Sequence, residues 1–407
     1  MKRNILFFTM ILMLVIFMAA NAYGEDTIID KGKIVFTSKR DKNAEIYVIN
    51  ADGTGLTRIT DSGTYDFKPI WSPDGTKILY RSRTKGGRLS WDQDYALYAC
   101  NADGTGHVKL GEAYCYDPVW SPDGEKVVFV SNKDGNYEIY VAYADGNGTF
   151  RLTNNKVKDK EPSWSPDGEK ILFISDNLPY IMDPDGGNLE QLIVDKGFYE
   201  KPKWSPDGKH IAFFVTGGEF GQLKGLVVMD YETREVELLD GASSAIYSII
   251  GHDFFWSPDG SKIAMSRDLK RTSGDDTYRF HVVAFEVDTK KVIFNEGFSS
   301  NENHYYLEWS SDNVHFLFRI KRFIIIVNTQ DNIGKKGKKY YIFEPAGLFR
   351  DYSDPHWSPD GSEIVYVGNK RRFTFNWSDI QIISPDGKLL RTLTDTGKDY
   401  EPDWFGN

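Results

Sequence analysis

The sequence predicts an all-β fold: an eight-bladed β-propeller of four-stranded antiparallel blades closed by the C-terminal strand, with seven blades as the alternative count. Three observations predict it. The pentapeptide WSPDG recurs at Trp71, Trp120, Trp164, Trp204, Trp256 and Trp357, with a worn copy, WSSDN, at Trp309 and a truncated one, WFGN, at Trp404. Successive Trp residues stand 49, 44, 40, 52, 53, 48 and 47 positions apart, too far for helical hairpin repeats and within the range of propeller blades. Aromatic residues make up 14% of the 407-residue chain and gather in the repeat, as an aromatic, strand-rich core requires.

Each unit follows one script, clearest from Pro118 to Thr153: inner strand, turn, strand, loop, strand, turn, strand. The turn chemistry explains the motif. In Ser72-Pro73-Asp74-Gly75 the proline fixes φ early in the turn, the Ser and Asp side chains cap it, and glycine takes the left-handed position that ends a hairpin loop. A second turn, Asn50 to Gly53 and its relatives 101–104, 183–186 and 384–387, follows the same logic between strands three and four. A catalytic cluster is needed once, whereas this one recurs, so the Trp and Asp residues of the repeat read as folding devices. An isolated blade cannot bury both faces, and the Trp that ends each inner strand is expected to pack between blades.

The two ends complete each other. Before Trp71 the chain has three strands' worth of pattern, Lys33 to Ser38, Glu45 to Asn50 and Leu56 to Thr60, and no inner strand; after the last full unit it has an inner strand and nothing more. A split blade, with the last segment supplying the missing inner strand of the first, leaves no open edge. Residues 33–407 are thus expected to form a single propeller domain without internal linkers.

Lys2 and Arg3 precede an apolar run from Ile5 to Ala20, followed by small-residue cleavage sites after Ala22 or Gly24. Residues 1–24 read as a secretory signal peptide, the run of 16 being short of the ~20 residues a spanning helix needs. A periplasmic or secreted location follows as the expectation, with no transmembrane segment after cleavage. The net charge is −10, and removal of Lys2 and Arg3 with the signal takes it to −12, which disfavours nucleic acid and anionic membranes as partners. Export makes a disulfide between Cys100 and Cys115 worth considering. The blade plan places Cys100 at the turn end of a third strand and Cys115 in the connection on the opposite face, well beyond the ~7 Å a disulfide spans.

These units resemble the PD40, or TolB-like, relatives of WD40 repeats, which also build the propellers of tricorn protease and of prolyl-oligopeptidase-type enzymes. The resemblance covers nearly all of the expected mature chain and is specific to fold. It implies an exported propeller that binds other envelope proteins. TolB-like proteins carry a separate α/β domain before a six-bladed ring; about ten residues separate this signal peptide from the first strand, so that domain is not expected.

Three constellations fall on the face of the strand 2–3 loops and blade-to-blade connections, where length varies and where rigid scaffolds carry binding residues. The first is a basic, aromatic crescent. Trp91 and Trp377 lie outside the repeat, in loops of the second and eighth blades, with Arg81, Arg83, Lys85 and Arg88 beside one, Lys370, Arg371, Arg372, Phe373 and Phe375 beside the other, and Lys39, Arg40 and Lys42 between. Aromatic surface with cations suits stacking and carboxylate recognition; the bland reading is solvated loops. The second is the channel mouth, where the residues three before each Trp are Lys68, Asp117, Glu161, Lys201, Asp253, Tyr306, Asp354 and Glu401. A carboxylate ring could hold a divalent cation or a basic peptide, although solvated polar groups lining water need no ligand. The third is histidine: His252, His304 and His356 approach the same mouth, with strand alternation putting only His304 and His356 on one side.

The leading functional expectation is therefore a non-enzymatic propeller in the cell envelope that binds a protein or an anionic polymer, without a cofactor. The alternative is a metal-assisted polysaccharide lyase resembling the PD40-type oligogalacturonate lyases, with His304 and His356 as the metal ligands. Against that alternative stands the mismatched histidine register; the lack of a G-x-S-x-G elbow separately disfavours a hydrolase of the peptidase type.

Overall fold

The computed structural model describes residues 32–83, 95–112, 114–194, 197–215, 225–241, 249–270, 278–299, 305–320, 323–330, 340–343, 355–372 and 375–405. These form eight four-stranded antiparallel sheets arranged as an eight-bladed propeller. The inner strands of blades 2 to 8 are Tyr65–Trp71, Cys115–Trp120, Asp159–Trp164, Tyr199–Trp204, Ile249–Trp256, Tyr305–Trp309 and His356–Trp357. Blade 1 is split: Asp399–Phe405 is its inner strand and pairs antiparallel with Lys33–Ser38, from Lys33 opposite Phe405 to Ser38 opposite Asp399. The closure expected from the two incomplete ends is the one observed, with eight blades rather than seven. Among the described residues no helix is long and apolar enough to cross a membrane. The expected signal peptide, 1–24, lies outside the described residues.

Strands such as Lys33–Ser38 and Lys126–Ser131 are nearly continuous apolar runs because both of their faces are covered. Ile34 and Phe36 pack with Val365, Val367 and Trp404 toward blade 8, whereas Val35 packs with Trp71, Ile78 and Tyr80 toward blade 2. The repeat Trp residues are 5–9% exposed, and several do more than pack. The indole Nε1 of Trp164 donates to the Val119 carbonyl at 3.2 Å, Trp256 to Lys203 at 3.3 Å, Trp309 to Phe255 at 3.0 Å and Trp357 to Glu308 at 3.4 Å. Each acceptor is the residue before the Trp of the preceding blade, so the same side chain that fills the interface also fixes its register.

The turns follow the sequence reading. Gly75 has φ of 66° and donates its N–H to the Ser72 carbonyl at 2.9 Å, and the Ser72 hydroxyl donates to Asp74 Oδ1 at 2.6 Å while accepting the Lys77 N–H at 2.9 Å. In the worn copy Asn313 takes the left-handed place at φ 57°, a conformation asparagine tolerates better than most residues. Burial raises the proton affinity of Asp207 in its turn, but hydrogen bonds from Ser205 and the Lys209 N–H outweigh it and hold the carboxyl below its ordinary value.

Several buried carboxylates sit in hydrogen-bonded networks. In blade 1 the fully buried Glu45 accepts from Asn43 and from the Thr60 hydroxyl, with Arg58 3.3 Å away. Blade 3 repeats the arrangement with Glu138, Asn136, Thr153 and Arg151. At the closure, Arg40 meets the fully buried Asp399 at 3.0 Å, while its guanidinium lies over the rings of Tyr47 and Phe36. The cysteines are both free and both buried, in different inter-blade cores. Cys115 opens the inner strand of blade 3 rather than lying in the connection before it. Burial pushes each thiol up to about 12.

Three outcomes are expected. Asp399→Ala strands the Arg40 cation at the seam and should lower unfolding stability by about 3 kcal/mol in denaturant titrations. A depressed carboxyl contributes stability above its unfolded value of 3.8 that disappears as pH falls through the folded value. Asp207→Asn should therefore be less stable than the parent by up to about 1 kcal/mol at neutral pH, and the two melting curves should converge in acid. Cys100 and Cys115 should resist thiol reagents in the native protein and both react once it is unfolded without reductant.

Candidate functional site

The centre of the ring is built from two positions of each inner strand. At the first, three residues before the Trp, Lys68, Asp117, Glu161, Lys201 and Glu401 have φ of 51°, 47°, 57°, 53° and 54°. Each precedes a proline and sits where the register of the inner strand breaks, so each is a β-bulge residue in a left-handed conformation. Such strain costs about 1–2 kcal/mol per residue and is offset by bonds around the ring. Glu161 Oε2 accepts the Lys201 N–H of the next blade at 2.6 Å, and Glu401 Oε2 accepts the Lys68 N–H at 2.8 Å and the Thr37 hydroxyl at 3.0 Å. Asp253, followed by Phe254 instead of proline, meets Lys203 at 2.8 Å and Lys201 at 3.9 Å. Of the carboxylates at this position, Glu161, Asp253 and Glu401 are engaged with a neighbouring strand or blade. Asp354 lies outside the described residues.

The second position, immediately before each Trp, divides the lining. Blades 2 and 3 present Ile70 and Val119, exposed by 40% and 36%. Blades 5, 7, 8 and 1 present Lys203, Glu308, His356 and Asp403. Asp403 accepts the Trp71 N–H at 2.8 Å; burial pushes its carboxyl up, against the pull of His356 and that N–H. Glu308 accepts the Tyr306 hydroxyl at 3.0 Å and the Trp357 N–H at 3.3 Å, and His356 Nδ1 lies 3.0 Å from the same hydroxyl and 3.6 Å from Glu308. Lys203 lies 4.0 Å from the Phe255 ring centre and donates to the Phe254 carbonyl at 2.7 Å, and burial lowers its proton affinity despite Asp253. His356 is held by tyrosine and carboxylate. Its expected companion His304 lies outside the described residues, and among those described no three His, Cys, Asp or Glu residues gather as a metal site.

The loop face carries an aromatic run the sequence reading did not assemble. Phe67 and Tyr95 of blade 2 meet at 6.0 Å, Tyr95 meets Tyr116 of blade 3 at 6.4 Å, and Tyr116 meets Tyr137 at 5.7 Å. Arg81 lies over Tyr95 at 4.5 Å and Lys158 of the following connection over Tyr137 at 5.2 Å. Tyr65 and Tyr114 are each 38% exposed beside the run, and Tyr114 is held at φ 73°. The signal was available: Tyr400, Phe67 and Tyr116 stand four before their Trp in three consecutive blades, one step from the register that drew attention to the carboxylates.

The crescent is placed in part. Trp377 is not in a loop but on the strand Phe375–Ile383, opposite Lys370, and Arg371 and Arg372 continue the partner strand Ile364–Arg372 with Arg372 opposite Phe375. A long two-stranded hairpin replaces the expected loop. Trp91, Lys85, Arg88 and Phe373 lie outside the described residues, and Arg83 ends the strand Lys77–Arg83. Lys39 and Arg40 lie over aromatic rings of their own blade, at 4.8 Å from Tyr400 and 4.6 Å from Tyr47.

Comparison with known proteins places these repeats. The PD40 family model, described as the TolB beta propeller domain, matches residues 101–246. A Protein TolB homolog of Chlorobaculum tepidum is 32% identical over 121 residues, which are 30% of this chain and 26% of that protein. The Tol-Pal system protein TolB of Desulfosudis oleivorans is 39% identical over 57 residues, 14% of this chain and 13% of that protein. The chain therefore matches about a quarter of the first relative's length and about an eighth of the second's. Among solved structures, the C-terminal WD40 domain of Sif2 superposes with a TM-score of 0.58 over 88% of this chain and 93% of that one; at 13% identity it shares the fold alone. With its WSPDG turns and its split blade, the chain is an eight-bladed propeller whose residues 101–246 match the TolB beta propeller domain of the PD40 family.

Proposed function

We propose that the protein is an exported binding module that holds another protein of the cell envelope on its loop face. The observation that carries this reading is the aromatic run across blades 2 and 3, flanked by the exposed Tyr65 and Tyr114 and capped by Arg81 and Lys158. Tyrosine gives large, rigid contact area at small entropic cost and keeps a hydroxyl for hydrogen bonding, and arginine stacked on it adds a charge that is already in place. The strained backbone of Tyr114 holds a large side chain partly in solvent, an arrangement that packing within the blade does not require. The relatives support a protein as the partner class, since one of them is named as a component of the Tol-Pal system. Rigidity is the ring's contribution: the run spans two blades whose mutual position is fixed by the interfaces beneath it, so little ordering remains for the moment of binding.

A photo-crosslinking side chain at Tyr114 should capture a discrete envelope protein in the native cell, whereas the same group at Leu390, exposed on the outer strand of blade 8, should not. With that partner in hand, Tyr114→Ala should weaken binding by about 1–2 kcal/mol with an unchanged melting temperature. Equal capture from both positions would reject the loop face as the site.

A further inference from the structure

A second site is carried by the opposite face, that of the short turns. The residue of each outer strand that shares a rung with the one preceding the repeat Trp usually engages the next blade. In blade 2 it is Val108, which lies so close to Gly146 of blade 3 that an added methyl carbon there would stand 3.0 Å away. In blade 4 it is Glu190, 3.1 Å from Arg234 of blade 5; in blade 5 it is Glu237, 2.8 Å from Lys290 of blade 6. In blade 6 it is Phe294, 1% exposed and edge-on to Phe316 of blade 7, and in blade 8 Arg391, whose Nε donates to the Ala51 carbonyl of blade 1 at 2.7 Å.

Blade 1 sets the exposed Thr57 at this rung, and blade 3 departs from the pattern by leaving an aromatic ring uncovered. Its residue at the rung is Phe150, 52% exposed where the phenylalanine of blade 6 is buried. The ring lies along the backbone of Gly148, at φ 145°, where any side chain would stand 3.0 Å from it, and it meets Tyr143 edge-on at 6.1 Å. Tyr143 is 36% exposed, with the Lys126 ammonium 5.4 Å from its ring centre. Facing them, the turn of blade 4 is bonded within its own blade, Lys170 to Asp183 at 2.5 Å and Asn188 to Asp183 at 2.6 Å. The groove left between the blades has a volume of about 800 Å³.

We propose that this groove binds a neutral oligosaccharide. Val141 and Leu152 form the floor and Pro184 part of the far side, so the apolar lining lies beside an open aromatic corner rather than closing into a pocket for a fatty chain. Around the rim Lys126 and Lys170 stand among Glu169, Asp183 and Asp185, the Arg151 guanidinium being held by Glu138 and the Thr153 carbonyl, and this mixture of signs favours neither a polyanion nor a polycation. A pyranose meets both demands: its C–H face stacks on Phe150 and Tyr143, and its hydroxyls both donate and accept among rim groups of either sign. About 800 Å³ accommodates more than one sugar ring. This site lies on the face opposite the aromatic run and stands or falls independently of it.

The test is calorimetric titration of the protein with cellotetraose, chitotetraose and maltotetraose, and with tetragalacturonate as the charged comparison. At least one neutral tetrasaccharide should bind with submillimolar affinity, and Phe150→Ala and Tyr143→Ala should each weaken it about tenfold or more while the melting temperature holds. Because Phe150 is half exposed, its loss leaves folding intact. The proposal is overturned if no neutral probe binds, if tetragalacturonate binds more tightly than all three, or if binding is indifferent to both substitutions. Tighter binding of a proline-rich peptide, lost in Phe150→Ala, would overturn it too by identifying a peptide groove instead.

Discussion

Everything in this molecule depends on how one blade is held to the next, and the recurrent device is an indole. A four-stranded blade has two apolar faces and no means of covering them, so the ring exists only as a set of interfaces. Where the Trp N–H reaches the carbonyl before the preceding Trp, one side chain supplies both the apolar contact and a directional bond. The carboxylates around the centre add a second stitch, with Glu161 and Glu401 accepting backbone N–H groups that the edge of an inner strand would otherwise leave without a bond. Interface and channel lining are therefore the same residues seen from two sides.

Features with a period were legible in the sequence. WSPDG marks turn, inner strand and interface at once, and its intervals gave the blade count; the incomplete ends gave the closure. The buried networks around Glu45 and Glu138 escaped, because Asn-x-Glu and Arg-x-Thr read as polar surface until the fold brings their strands side by side. Trp377 was misplaced for the same reason: Lys370, Arg371 and Arg372 have the composition of a solvated loop, and only pairing shows them as the end of a nine-residue strand.

The site was legible in kind and less so in place. Of the residues three before each Trp, Lys68, Asp117, Glu161, Lys201 and Glu401 sit on a left-handed bulge of the inner strand, and no propensity argument assigns that conformation to Lys or Glu. The aromatic run needed a register one residue away and the knowledge that blades 2 and 3 are neighbours in space. The groove at Phe150 could not be found from its own strand, since an outer-strand phenylalanine reads as core. It becomes visible only against Phe294, which occupies the same rung and is buried.

Closure by the last strand also sets when the molecule can become itself. Lys33 and Phe405 are neighbours in one sheet, so the edge of the first strand stays open until nearly the whole chain has been made. Contacts of such long sequence separation form late, and an open apolar edge on an incomplete ring is a site for mispairing. A chain made from its N-terminus completes seven blades before the strand that locks them, so Asp399–Phe405 acts as a clock: the ring is committed only when that strand arrives.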